Sequence, residues 1–171
     1  STGEPSEAGL QKDSKAMIKW TLENPKINSE QVYVFGNVLG GAVAVYGTQF
    51  YQDQLRGLIL QNTYTNMNDM VEDTNWLFSL LRPIILANYW PSDERIQNIT
   101  TPILFISGTN SYTNDDMHEL HRLAKNSYYT DFLEVPKGGL QNTWRIGGRP
   151  YLDAIKDFIR RTRTAVNYGN A

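Results

Sequence analysis

Apolar positions along this chain come in short blocks that alternate between two periods. Leu10, Met17, Ile18 and Leu22, together with Trp20, are spaced along one side of a helix over 8–23. Ser6 caps it after a Gly3-Glu4-Pro5 turn, and Asn24-Pro25 stops it. The run Val32–Phe35 is apolar without alternation, which is the pattern of a strand buried on both faces. A second helix follows over 39–51, built of small residues that allow close approach to a sheet. Leu58–Leu60, Ile103–Ile106 and Phe132–Val135 read as three more strands, and Asp115–Lys125 and Pro150–Val166 as helices. From 66 to 98 the pattern is irregular, with Trp76, Phe78, Trp90 and two prolines, and predicts short helices lying over the sheet edge. Strands alternating with helices imply βαβ crossovers. The predicted fold class is therefore three-layer α/β, a partial, mostly parallel sheet of about four strands with helices on both faces. It forms a single domain over 1–171 with 66–100 as a short insertion.

Composition narrows the function classes. At 171 residues the chain is long enough to bury roughly 70% of its unfolded surface as one domain. A formal charge of −2 argues against nucleic-acid binding, which relies on a basic footprint. The absence of cysteine excludes disulfides, thiolate catalysis and cysteine metal sites. No apolar run approaches the roughly 18 residues of a membrane span, Pro83–Ala87 being far too short, and no signal peptide is evident.

The candidate chemistry sits where the first strand meets the second helix. Gly36-Asn37-Val38-Leu39-Gly40 has the strand–turn–helix context of the nucleophile elbow G-x-S-x-G, with both glycines in place. The nucleophile position holds Val38, whose side chain carries no atom able to attack a carbonyl. An elbow nucleophile sits at positive φ, and a β-branched residue there is a steric outlier. With no reaction to offset the strain, the turn is expected to relax, or Val38 to be a plain core residue.

Several blocks together resemble one family. The opening 1–7, the elbow Phe35–Gly41, and Leu58-Ile59-Leu60-Gln61-Asn62-Thr63-Tyr64-Thr65 are similar to the α/β-hydrolases. So are Pro102-Ile103-Leu104-Phe105-Ile106-Ser107-Gly108 and Gly138-Gly139-Leu140-Gln141-Asn142-Thr143-Trp144. Within that superfamily they look most like the Bem46-type (ABHD13-like) branch, over nearly the whole chain. The resemblance implies an acid three residues past Gly108 and a base in the loop after the last strand; those positions hold Ser111 and Leu140. Nucleophile, acid and base would thus be Val38, Ser111 and Leu140, a degenerate triad. Losing a nucleophile alone costs on the order of a millionfold in rate. Asp69, Asp115 or Asp116 could stand in as a relocated acid, but His118 and His121 lie on the helix before the last strand and not in the loop after it. Ser107 lies outside any elbow.

The resemblance also implies an eight-stranded sheet, of which this chain would supply the C-terminal half to two-thirds. Only the Leu39 N–H of the oxyanion hole would remain. In the family's strand order Val32–Phe35 pairs on both sides, so one edge here would need covering by other protein subunits. The expected function is a non-catalytic accessory subunit of a larger complex. Two alternatives stand beside it: a module binding a lipid or acyl ligand in the former substrate pocket, and a residual serine esterase or thioesterase. Membrane association among family members implies a membrane-bound complex, in an organelle such as the mitochondrion, with peripheral lipid contact.

Other constellations carry weaker readings. His118-Glu119-Leu120-His121 lacks the four-residue spacing and third ligand of a zinc helix and reads as a solvated amphipathic helix, so no metal or cofactor is expected. Gly138-Gly139 and Gly147-Gly148 read as turns. Arg160–Arg163 either meets an acidic partner or headgroups, or, more commonly, complements the helix dipole. Asn98-Ile99-Thr100 is a formal glycosylation sequon. Trp76, Phe78, Tyr89 and Trp90 suit a ligand pocket, a core, or interface anchors equally.

Overall fold

The computed structural model describes residues 6–66 and 89–163. Ser6 opens the chain's first helix as its residue type predicts: its backbone is extended and its hydroxyl accepts the Gly9 N–H at 3.1 Å. That helix, α1, runs Glu7–Glu23 and ends at Asn24, ahead of Pro25. A 3-10 turn at Ser29–Gln31 leads into β1, Tyr33–Asn37. Then come α2 (Leu39–Thr48), β2 (Gly57–Gln61), α3 (Ser92–Ile96), β3 (Ile103–Gly108), α4 (Asn114–Leu123), β4 (Thr130–Val135) and α5 (Thr143–Arg163). The predicted domain boundaries, with their cap-like insertion at 66–100, fall largely outside the described residues.

All three strand pairings are parallel, in the order β1-β2-β3-β4, which is the predicted α/β architecture. Leu58, Leu60, Ile103 and Phe105 turn to one face and meet Ala44 and Val45 of α2, Ile96 of α3, and Met117 and Leu120 of α4. Ile59, Leu104 and Ile106 turn to the other and meet Tyr151 and Phe158 of α5. Strands sandwiched this way cannot alternate polar with apolar residues, which is why their sequence runs are unbroken.

Several boundaries differ from the predicted ones. β1 extends two residues past Phe35, because its ladder continues until Asn37 stands opposite Gln61, whose side-chain amide donates to Asn37 Oδ1 at 3.2 Å. α2 stops at Thr48 rather than 51. α5 begins at Thr143, seven residues before Pro150, and is broken at Gly148, which holds φ 49° and ψ −127°. Pro150 falls just past that break, where its missing N–H removes no interior helical bond.

The 89–96 segment is tied to α1 by a single carboxylate. Glu7 accepts from the Tyr89 N–H at 3.1 Å and pairs with the Arg95 guanidinium at 3.3 Å, both side chains being largely buried. No helix among the described residues is long and apolar enough to cross a membrane.

Candidate functional site

The turn between β1 and α2 is pinned on both sides. The Val38 N–H donates to the Gln61 carbonyl at 3.0 Å, and the Gly41 N–H returns to the Val38 carbonyl at 3.0 Å. Between these bonds Val38 holds φ 53° and ψ −120°. The expected relaxation does not occur, and the side chain is only half-buried. The reason lies in the flanking glycines. A Cβ at Gly36 would stand 2.5 Å from the Gly40 carbonyl oxygen, and one at Gly41 would overlap the Thr63 side chain. The helix is thus seated directly on the ends of β1 and β2, and the link between them must make a reverse bend whatever side chain it bears. A β-branched residue in such a conformation costs on the order of 1–3 kcal/mol. Val38 also occupies the cap position of α2 without offering a side-chain hydrogen bond, and Leu39 opens the helix, whose first N–H groups have no intrahelical acceptor.

One strand over, Asn62 follows β2 with φ 46°. It is fully buried, and both its side-chain oxygen and its side-chain nitrogen are hydrogen-bonded. Oδ1 accepts from the Gly108 N–H at 3.0 Å, while Nδ2 donates to the Leu140 carbonyl and to Thr143 Oγ1, each at 3.0 Å. One amide thereby fastens the end of β3 and the loop after β4 to the end of β2. Sequence reasoning included Asn62 in a family block but gave it no role. An asparagine closing an apolar strand was the available signal, since asparagine tolerates left-handed backbone.

The structure places the three predicted triad positions as follows. The Leu140 side chain is buried in a cluster with Ala42, Tyr64 and Trp90, and Val38 and Leu39 pack against the same cluster. Positions 38 and 140 therefore share one hydrocarbon cluster. Ser111 is buried, with its hydroxyl 2.7 Å from Thr113 Oγ1 and accepting the Thr113 N–H at 3.3 Å, so it closes its own turn at the start of α4. Of the three side chains, only that of Ser111 carries a hydrogen-bonding atom.

Asp116 accepts from both the N–H and the hydroxyl of Thr65, Asp115 is exposed, and Asp69 lies outside the described residues. Ser107, buried in β3, accepts from Asn114 Nδ2 at 2.9 Å. The two histidines lie on the β4 side of the sheet. The His118 ring stacks on Phe132 at 4.6 Å and its Nε2 is 2.8 Å from Glu134 Oε1; His121 Nε2 is 3.2 Å from Thr130 Oγ1. The helix face that bears them is more engaged than the solvated one predicted. Burial holds His121 below the usual imidazole pKa, the neighbouring His118 pushes it the same way, and Asp131 opposes them. Among the described residues no cluster of histidine, aspartate or glutamate could hold a metal ion.

Of the four aromatics singled out, Trp90 is fully buried and Tyr89 exposed, while Trp76 and Phe78 lie outside the described residues. The Trp90 indole N–H has no acceptor among the described residues. Asn98 of the sequon is exposed, but the Thr100 hydroxyl and N–H both donate to Gln52. Arg160 pairs with Asp157 at 2.9 Å in the basic last turn of α5.

The overall fold is shared with solved hydrolases. An esterase from Pyrobaculum calidifontis superposes with a TM-score of 0.72 at 14% identity, covering 94% of this chain and 62% of that one. The Pyrococcus horikoshii acylaminoacyl peptidase gives 0.70 at 16% identity, covering 95% and 29%. At such identities the likeness shows the fold alone. Among sequence relatives, Protein bem46 of Schizosaccharomyces pombe is 37% identical over 109 residues, 63% of this chain. The α/β hydrolase domain-containing protein WAV2 of Arabidopsis thaliana is 30% identical over 175 residues, 94% of this chain. This chain is a Bem46-type α/β-hydrolase relative. No family model matches it. The matches cover 36% of bem46 and 57% of WAV2, so the chain spans only about half the length of these relatives.

Proposed function

We propose that this Bem46-type domain is catalytically silent and serves as a structural or accessory subunit of a larger protein complex. The observation that carries the reading is the elbow itself: its backbone is held at φ 53° while the side chain it presents is a valine packed on the cluster that holds Leu140. Acyl transfer needs an attacking atom and a base within hydrogen-bond reach of it, and hydrocarbon fills both positions. Ser111, at the third position, uses its hydroxyl to stabilise a turn. A fold retained with these substitutions is retained for its surface. A membrane-bound complex is the setting the family resemblance suggests.

The test is turnover of short- and long-chain p-nitrophenyl esters by the purified chain and by Val38→Ser. Neither should exceed the buffer blank, because restoring an oxygen at the elbow leaves it without a base. Hydrolysis by the unaltered chain would overturn the reading in favour of a residual esterase or thioesterase.

One observation favours a second reading, a lipid or acyl ligand held without turnover. The buried Trp90 N–H, without an acceptor among the described residues, lies in the cluster that packs on Val38, and an ester or amide carbonyl would satisfy it. Native mass spectrometry of the purified protein decides: a retained acyl compound supports it, and a bare chain removes it.

A further inference from the structure

Strain and unmet hydrogen bonding gather in one short stretch beside the elbow. Trp90 is fully buried and holds φ 42°, a conformation that bulky side chains rarely adopt. Its indole N–H and the buried Ser92 hydroxyl have no hydrogen-bond partner among the described residues. α3 begins there behind Pro91, which offers no side-chain cap. Native proteins keep few such groups, and their concentration in residues 90–92 demands something that holds the stretch in place.

That hold is narrow. Among the described residues, the main chain of Tyr89–Ser92 is hydrogen-bonded beyond itself and α3 only through Glu7. The Glu7 Oε2 accepts from the Tyr89 N–H at 3.1 Å and the Trp90 N–H at 3.5 Å. The Trp90 carbonyl merely closes on the Ser92 N–H at 2.8 Å. From Asp93 onward the ties are firm: its N–H donates to the Thr65 carbonyl at 3.0 Å, and Ile96 is fully buried in the main core. The apolar contacts of the Trp90 ring with Ala42, Tyr64 and Leu140 are non-directional and fix no backbone angle.

Glu7 itself is set rigidly. It stands in the first turn of α1 beside the capping Ser6, and its side chain is only 16% exposed. Its Oε1 accepts from Gln11 Nε2 at 2.7 Å and from Arg95 Nη2 at 3.3 Å. The Arg95 guanidinium lies 4.9 Å over the Tyr46 ring of α2, and the Ser14 hydroxyl ties α1 to the Val43 carbonyl of the same helix at 3.1 Å.

We propose that Tyr89–Ser92 is a strap, hinged at Asp93 and latched shut by the Glu7 carboxylate, whose release withdraws Trp90 and exposes the apolar cluster beside Val38. Opening relieves the Trp90 backbone and hydrates the indole N–H and the Ser92 hydroxyl. What opposes it is the pair of bonds to Glu7 and the burial of one ring. The latch does not depend on whether the elbow is silent.

Trp90 reports its own position. In a background of Trp20→Phe, Trp76→Phe and Trp144→Phe it is the sole tryptophan. With Glu7 intact, its emission should be blue-shifted and poorly quenched by acrylamide. Glu7→Ala removes every acceptor, and losing hydrogen bonds to a charged group should raise the quenching rate about tenfold. Glu7→Gln keeps an oxygen for the two N–H groups but drops the charge facing Arg95, and should fall between. In both variants the amides of Leu60 and Phe105 should stay protected, because β2 and β3 do not move. The unaltered chain supplies a check free of substitution: the Tyr89 and Trp90 amides should exchange through a local opening, roughly tenfold or more faster than Leu60 and Phe105. The proposal is overturned if Trp90 stays blue-shifted and unquenched in Glu7→Ala, or if both variants expose it only together with loss of protection at Leu60 and Phe105. It is equally overturned if all these amides exchange at one rate in the unaltered chain.

Discussion

Val38 and Asn62 end adjacent parallel strands, both stand at positive φ (53° and 46°), and both donate their N–H to the next strand. They reach this shared geometry on different terms. Asn62 belongs to a residue type that tolerates such backbone, and its amide makes three buried hydrogen bonds that hold two loops in place. Val38 belongs to the type that tolerates it least and makes no polar side-chain contact. At position 62 the conformation and the side chain support each other. At position 38 the conformation is imposed by the glycine-lined seat of α2, and the side chain merely endures it.

Glycine at each position separates the two cases. Asn62→Gly keeps the backbone easy and deletes the network, leaving the Gly108 N–H and Leu140 carbonyl unpaired in a buried site. It should cost about 3 kcal/mol in urea unfolding, with Asn62→Ala at least as severe. Val38→Gly should do the opposite. Relief of up to about 3 kcal/mol of strain, less roughly 1 kcal/mol for the half-buried side chain and some lost backbone restraint, leaves a net gain near 1 kcal/mol. A loss at Val38→Gly would mean the valine is contributing packing that outweighs its backbone. Ser111→Ala tests the third position as a purely local support and should cost about 1 kcal/mol, the worth of one buried hydroxyl bond.

The smallest effect concerns pH, and it belongs to the far rim of the sheet. Folding holds the His121 pKa below its ordinary value, so the folded state prefers the neutral ring. The corresponding stability is full above about pH 6.5 and is lost as the pH falls through the lower, folded-state value. His121→Gln should flatten that acid limb in thermal melts between pH 7 and 5. Val38→Gly and Asn62→Ala should shift the melts by the same amount at either pH, because neither position titrates.

Much of this was legible in the sequence, for a physical reason. Strands covered on both faces must be apolar throughout, so Leu58–Leu60 and Ile103–Ile106 announce themselves, and a run of small residues marks a helix that sits close to the sheet. Glycines blurred the rest: Gly36 hid the last turn of the β1 ladder, and Gly147-Gly148 with Pro150 hid the first turn of α5. The persistence of strain at Val38 was not legible, because reading the residue type alone leads to the relaxed turn. Only the contacts at Gly36 and Gly41 show that the bend has nowhere to go. The role of Asn62 was equally hidden, since its partners lie 46 to 81 residues further along the chain.

Exposure of the purified chain to excess fluorophosphonate, followed by intact mass spectrometry, addresses the silent elbow most directly. Such probes bond to a serine only where a base has activated it. The account predicts an unchanged mass at high protein concentration and long incubation. A single phosphonyl adduct, mapped to any serine of this chain, would contradict it.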